Sequence, residues 1–207
     1  MEKIRFGIVG IGMMGRMHAT SLQRNPHAEV VAVCARTESK VKAFQEEFGV
    51  PYGYTNVDEL VNNPEVDAIV VATGADAHKA PCLAACKAKK HIFCEKPLAD
   101  TVEKCKEAEA IIAAHPELTF MLGFMRRYDH SYQVAKKKME NGDIGDVILV
   151  RCYSQDPISI IEGTLEYAPR SGGQFIDMSI HDFDLIRWLT GSEVKELWAT
   201  GGCYEFK

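Results

Sequence analysis

Lys96, Asp177 and His181 are the residues of this 207-residue sequence whose types suit moving a proton beside a developing charge. An imidazole, with an ordinary pKa of about 6.5, accepts a proton near neutrality, which makes His181 a candidate base. The Lys96 ammonium is a candidate for stabilising an alkoxide-like oxygen and for relaying a proton. Asp177 and His181 stand at i and i+4, so one helix would carry both on one face, with Asp184 a turn further on. There Asp177 would orient the imidazole or hold a hydroxyl. The same residue types also fit a helix-surface Asp–His pair and a solvent-facing lysine, since ion pairs are often structural.

What those side chains act beside is indicated by Gly10-Ile11-Gly12-Met13-Met14-Gly15. The spacing G-x-G-x-x-G directly follows an apolar run and opens a helical one, the context that dinucleotide binding requires. Gly10 permits the tight turn, Gly12 lets a pyrophosphate approach the backbone, and Gly15 lets helix and strand pack closely. Met13 and Met14 stand between them, where free N–H groups at a helix start face phosphate. With a nicotinamide at hand, Lys96, Asp177 and His181 read as alcohol oxidation, hydride leaving the carbon as the proton leaves the oxygen.

The ribose contact is unusual. NAD-binding sheets carry an acid at the end of the second strand, whereas this sequence reads Val33-Cys34-Ala35-Arg36-Thr37. A guanidinium can pair with a 2′-phosphate that a carboxylate would repel, so the cofactor is NADP or NAD, with NADP favoured; Lys40 is near enough in sequence to help. Arg36 stacked on adenine or pointing to solvent is the other possibility. Thr73, His78 and Glu95 follow apolar runs, at the edge where such sheets bind ligands, and are counted with the cofactor site. For His78, packing on its own helix is an equal alternative.

These residues need elements to hold them. Strand patterns fall at 4–9, 30–34, 67–72, 90–94 and 118–123, alternating with helical patterns at 15–24, 40–48, 58–61, 76–88 and 101–114. That alternation predicts an α/β fold, a Rossmann doubly wound parallel sheet with both faces covered. Cys94-Glu95-Lys96-Pro97 then falls at the carboxyl edge, and Pro97 keeps Lys96 extended. After Gly123 the pattern predicts a helix at about 128–140, a strand at 147–153, a Pro- and Gly-containing stretch, a helix at about 174–190 and a strand at 194–204. The expected organisation is a dinucleotide-binding domain over 1–123 and an incomplete α/β substrate domain over 124–207.

The run Gly123-Phe124-Met125-Arg126-Arg127-Tyr128-Asp129, with Gly10 to Gly15, Glu95-Lys96-Pro97, Ser171-Gly172-Gly173 and Asp177-x-x-x-His181-Asp182-Phe183-Asp184, resembles the Gfo/Idh/MocA oxidoreductases, most closely the inositol 2-dehydrogenase branch. The resemblance covers the whole chain. It implies Lys96, Asp177 and His181 as a catalytic triad, Arg126 as a substrate residue, and oxidation of myo-inositol at its 2-hydroxyl, usually with NAD and in tetramers. Asp184 is placed with Arg126 in the substrate-binding set. The family's members are longer than this chain, so the substrate domain is expected to be truncated here.

Composition bounds the rest. Hydrophobic residues at 46% and charged ones at 26% are ordinary for a globular protein, and a net charge of −5 gives no general pull toward nucleic acid or anionic membrane. Apolar runs fall far short of the ~20 residues that cross a bilayer, and the seven cysteines lack a Cys-x-x-Cys spacing. The expectation is a cytoplasmic enzyme without a structural metal, its partner a small polyol or sugar. Two other readings share the scaffold: a dinucleotide-binding regulator or fragment without catalysis, and a relative acting on another sugar.

Overall fold

The apolar runs at Ile4–Val9 (β1), Ala28–Cys34 (β2), Ala68–Val71 (β4) and His91–Cys94 (β5) are strands because each can bury both its faces. In the computed structural model, which describes residues 3–202, they join the short Tyr52–Tyr54 (β3) and Phe120–Leu122 (β6). The sheet has the order β3-β2-β1-β4-β5-β6, all strands parallel. The order reverses between β1 and β4, the switch point at which doubly wound sheets bind ligands beyond the strands' carboxyl ends.

Strand alternation divides the core in two. Ile8, Val33 and Val70 pack with Val41 and Phe44 of Glu38–Phe48 (α2) and Ala19 of Met13–Gln23 (α1). Val9, Ile69, Val71 and Ile92 face the other way, onto Leu60 of Val57–Val61 (α3) and Cys82, Ala85 and Cys86 of Lys79–Lys87 (α4). Val102–Ala113 (α5) begins where the Thr101 hydroxyl accepts the Lys104 N–H. At the sheet's opposite edge Arg5 binds Asp67 through Nε and Nη2 at 3.0 and 2.8 Å, which holds that carboxyl below the usual carboxylate range.

Beyond β6 the structure departs from the sequence pattern. His130–Glu140 (α6) forms as expected, capped by Asp129, whose carboxylate accepts the Ser131 and Tyr132 N–H groups. Residues 147–153 are not a strand, and neither are 194–202; residues 203 and 204 lie outside the described residues. Both runs have strand composition, but a strand is stable only on a neighbour's hydrogen bonds, and none pairs with them among the described residues. The Pro- and Gly-containing stretch holds a short helix, Ile161–Tyr167 (α7). The single helix expected over 174–190 is two, Gln174–Asp177 (α8) and Ile180–Thr190 (α9), separated by a turn at Met178-Ser179. Asp177 and His181 therefore stand on different helices, and the one-face argument from i and i+4 does not hold.

Two compact units result. The first takes the chain through Phe124 together with Gln155–Ile180; the second takes Met125–Ser154 together with the chain from His181. No helix among the described residues is long and apolar enough to cross a membrane.

Candidate active site

The glycine turn is built as its spacing requires. Gly10 adopts φ +96° and donates its N–H to the Cys34 carbonyl at 3.0 Å, and a Cβ there would meet the Ala72 carbonyl oxygen at 2.6 Å. A Cβ on Gly15 would lie 2.0 Å from the Gly10 carbonyl oxygen, so helix and turn touch backbone to backbone. Gly12 differs: nothing lies within 4 Å of its Cβ direction. It is the N-cap of α1, no side chain caps that end, and no acid stands in the first turn. The open approach and the uncapped N–H groups of a helix start fit a pyrophosphate. Met13 is exposed, while Met14 packs against the core beneath the turn. Arg36 and Lys40 are exposed just beyond β2, and Arg36 has no ion-pair partner among the described residues.

Thr73 and His78 occupy the loop after β4. His78 is 1% exposed, with Nδ1 2.6 Å from the Pro97 carbonyl and Nε2 2.9 Å from the Thr73 carbonyl. Both ring nitrogens are taken by backbone oxygens, so His78 ties the loop after β4 to the loop after β5. Tyr167 of α7, missed in the sequence, accepts the Ala75 N–H on its hydroxyl at 3.1 Å. It brings the 155–180 segment to the same sheet edge, and its seven-residue helix has too few turns for a periodic signal.

Glu95 and Lys96, just past β5, engage different partners. The Lys96 ammonium donates to Asp177, to the carbonyl at 2.5 Å and to Oδ1 at 3.1 Å, and is four-fifths buried. Glu95 is buried, with Oε1 2.7 Å from His18 Nε2. His18 was also missed, although it lies three residues past Gly15, one turn into α1.

In the second unit Arg126 pairs with Asp182 and donates to the Ser154 hydroxyl at 3.0 Å, and that hydroxyl donates to Asp182 at 2.7 Å. Arg126 also lines an open hollow with Met125, Tyr128, Asp129 and Tyr132. Asp184 is 6% exposed and receives the Arg127 guanidinium on both oxygens, at 2.8 and 2.5 Å. Asp184 thus holds Arg127 in a bidentate pair. His181 stands in the first turn of α9 and is partly buried.

A strand–glycine turn–helix unit at the switch point of a 3-2-1-4-5-6 parallel sheet, with a lysine–carboxylate pair at the same edge, defines a dinucleotide-binding protein of the doubly wound α/β class. The chain belongs to the Gfo/Idh/MocA oxidoreductases: residues 4–124 match the oxidoreductase family with an NAD-binding Rossmann fold, and 132–205 match the GFO/IDH/MocA C-terminal domain. It is 37% identical over 205 residues to the myo-inositol 2-dehydrogenase of Thermotoga maritima, covering 96% of this chain and 58% of that protein. Among solved structures it is similar to the myo-inositol 2-dehydrogenase of Lactobacillus plantarum (40% identity, TM-score 0.87, 92% of this chain and 57% of that one). It is likewise similar to the scyllo-inositol dehydrogenase of Lactobacillus casei with bound NAD(H) and scyllo-inositol (38% identity, TM-score 0.86, 92% and 57%). The chain spans about 58% of the length of the curated relatives it matches.

Proposed function

We propose that the protein carrying this chain is an NAD(P)-dependent dehydrogenase that oxidises a ring hydroxyl of a cyclic polyol or sugar, with the 2-hydroxyl of myo-inositol as the leading substrate. The observation that carries this reading is the Lys96 ammonium held on Asp177 at the sheet edge that opens on the glycine turn. The inositol dehydrogenases among the chain's relatives support the substrate class. In this reading residues 1–123 hold the dinucleotide and residues 124–207 contribute to the substrate site.

A dinucleotide held by the glycine turn would supply the acceptor for the hydride of the carbinol carbon. His181 accepts the hydroxyl proton, so the C–H and O–H bonds break as the C=O bond forms. Lys96 donates a hydrogen bond to the oxygen and stabilises its developing negative charge. Asp177 holds the ammonium in reach, and Arg126 offers donors to the neighbouring hydroxyls. Gly10, Gly12, Met13, Met14 and Gly15 supply the pyrophosphate cradle. Arg36, exposed where an acid is usual, supports NADP over NAD.

The test is the near-ultraviolet absorbance of reduced nicotinamide with myo-inositol and each oxidised cofactor, for the parent and for His181→Ala. A rise in the parent and a loss of about 100-fold or more in the variant, with cofactor affinity kept, is the expected result. Unchanged turnover in the variant removes His181 as the base. No rise with any of a panel of polyols and sugars, while dinucleotide still binds, overturns the dehydrogenase in favour of a non-catalytic dinucleotide binder.

A further inference from the structure

Consecutive residues of a strand point to opposite faces of a sheet, so at the end of β5 Phe93 and Cys94 face opposite ways, and Glu95, just past the strand, meets the same residue, His18, that packs on Phe93. His18 reaches both from α1. Its ring stands edge-on to Phe93, centroids 4.9 Å apart at 64°, while Nε2 meets Glu95 Oε1 at 2.7 Å. The second carboxylate oxygen, Oε2, accepts the backbone N–H of Lys96 at 3.3 Å. Glu95's own backbone is fixed on both sides. Its N–H donates to the Val71 carbonyl at 2.9 Å, and the Cys94 carbonyl accepts the Gly123 N–H at 2.8 Å. Gly123 leaves room for the carboxylate, since a Cβ there would lie 3.2 Å from Oε2.

The His18 and Glu95 side chains are only 22% and 11% exposed. A carboxylate withdrawn from water to that extent needs partners for both oxygens. Here one oxygen is bound to the helix that opens with the glycine turn, and the other to the main chain of the lysine.

We propose that His18 and Glu95 are positioning residues for Lys96. Resting on the assignment of Lys96 above, the pair makes the seat of α1 set the backbone from which the ammonium reaches Asp177. Neither residue is given a contact with reacting atoms. The pair acts through residue 96, whereas a role for Glu95 as a cofactor ligand would act through dinucleotide affinity.

The experiment compares the full chain with His18→Ala, His18→Phe, His18→Gln, Glu95→Ala and Glu95→Gln. Three quantities are read: kcat, the KM for dinucleotide, and the rate at which acetic anhydride acylates Lys96, followed by peptide mass analysis with Lys90 as internal reference. The alanine variants should lose about 100-fold in kcat, the scale of a misplaced catalytic group, with dinucleotide KM little changed. Lys96 should acylate several-fold faster relative to Lys90. The glutamine variants, which keep a hydrogen-bonding side chain, should recover most of both. His18→Phe keeps the ring against Phe93 without the hydrogen bond, and it should behave like His18→Ala; it carries the test where alanine does not fold. A loss confined to dinucleotide KM, or unaltered kcat and Lys96 acylation in folded variants, overturns the proposal. A parent without turnover defeats only the dehydrogenase reading, because the acylation rates still decide whether the pair positions Lys96.

Discussion

Arg36 and Asp184 show what residue type can and cannot announce. Arg36 is recognisable because an expected acid is missing from a defined place in a known turn, and its exposure at the end of β2 agrees with that reading. If the guanidinium binds a 2′-phosphate, Arg36→Ala removes a charge-assisted contact of about 1.5–3 kcal/mol, or roughly 10- to 150-fold in affinity. The expected outcome is a loss of that order in the Kd of NADP, measured by titration calorimetry, with NAD nearly unchanged. Equal losses for both cofactors would show that Arg36 reads something they share. The Asp184 pairing was not legible because its partner, Arg127, stands 57 residues away in sequence, and no local pattern marks a pairing at that distance. The His78 contacts were hidden for a related reason: both are to backbone carbonyls, which every residue possesses.

At the scale of elements, legibility follows burial. β1, β2 and β4 were evident because near-continuous apolar runs have few other solutions, and the glycine spacing gave the turn its direction. Tyr52–Tyr54 was not evident, since three residues at a sheet edge, one of them glycine, carry no period. The break between α8 and α9 was hidden because Met178 and Ser179 are neither glycine nor proline. The turn before α1 permits a sharper test, for its glycines are required for different reasons. Gly15→Ala drives a Cβ into the Gly10 carbonyl and should lower the unfolding midpoint, as overpacking costs typically about 1–3 kcal/mol. Gly12→Ala meets open space at φ −69°, which any residue adopts, so stability should stay within about 0.5 kcal/mol. Dinucleotide affinity should nonetheless fall, because the added methyl stands where the pyrophosphate approaches. Thermal unfolding paired with cofactor titration separates the two variants. A Gly12→Ala protein that binds dinucleotide normally would remove the cradle from this part of the turn.

For the molecule as a whole, the second unit exposes apolar surface in the two runs whose composition is that of strands. Ile148 and Trp198 are 95% and 90% exposed, and Leu149, Tyr153, Val194 and Leu197 are exposed with them. Single exposed hydrophobes are ordinary, but two such runs without strand partners among the described residues offer both apolar side chains and backbone groups outside any ladder, the combination that recruits another chain. A polypeptide of these 207 residues is therefore expected to self-associate, with a sedimentation coefficient that rises with concentration. Ile148→Lys combined with Leu149→Lys places charges on side chains that bury little within the chain. Stability should change by about 0.5 kcal/mol or less per site, while the concentration dependence weakens. Dinucleotide binding should be untouched, because both residues lie in the second unit and the glycine turn in the first. If the parent sediments as a monomer at every concentration, exposure of these runs does not drive association. If the lysine variant associates as strongly as the parent, the contact lies elsewhere on the surface.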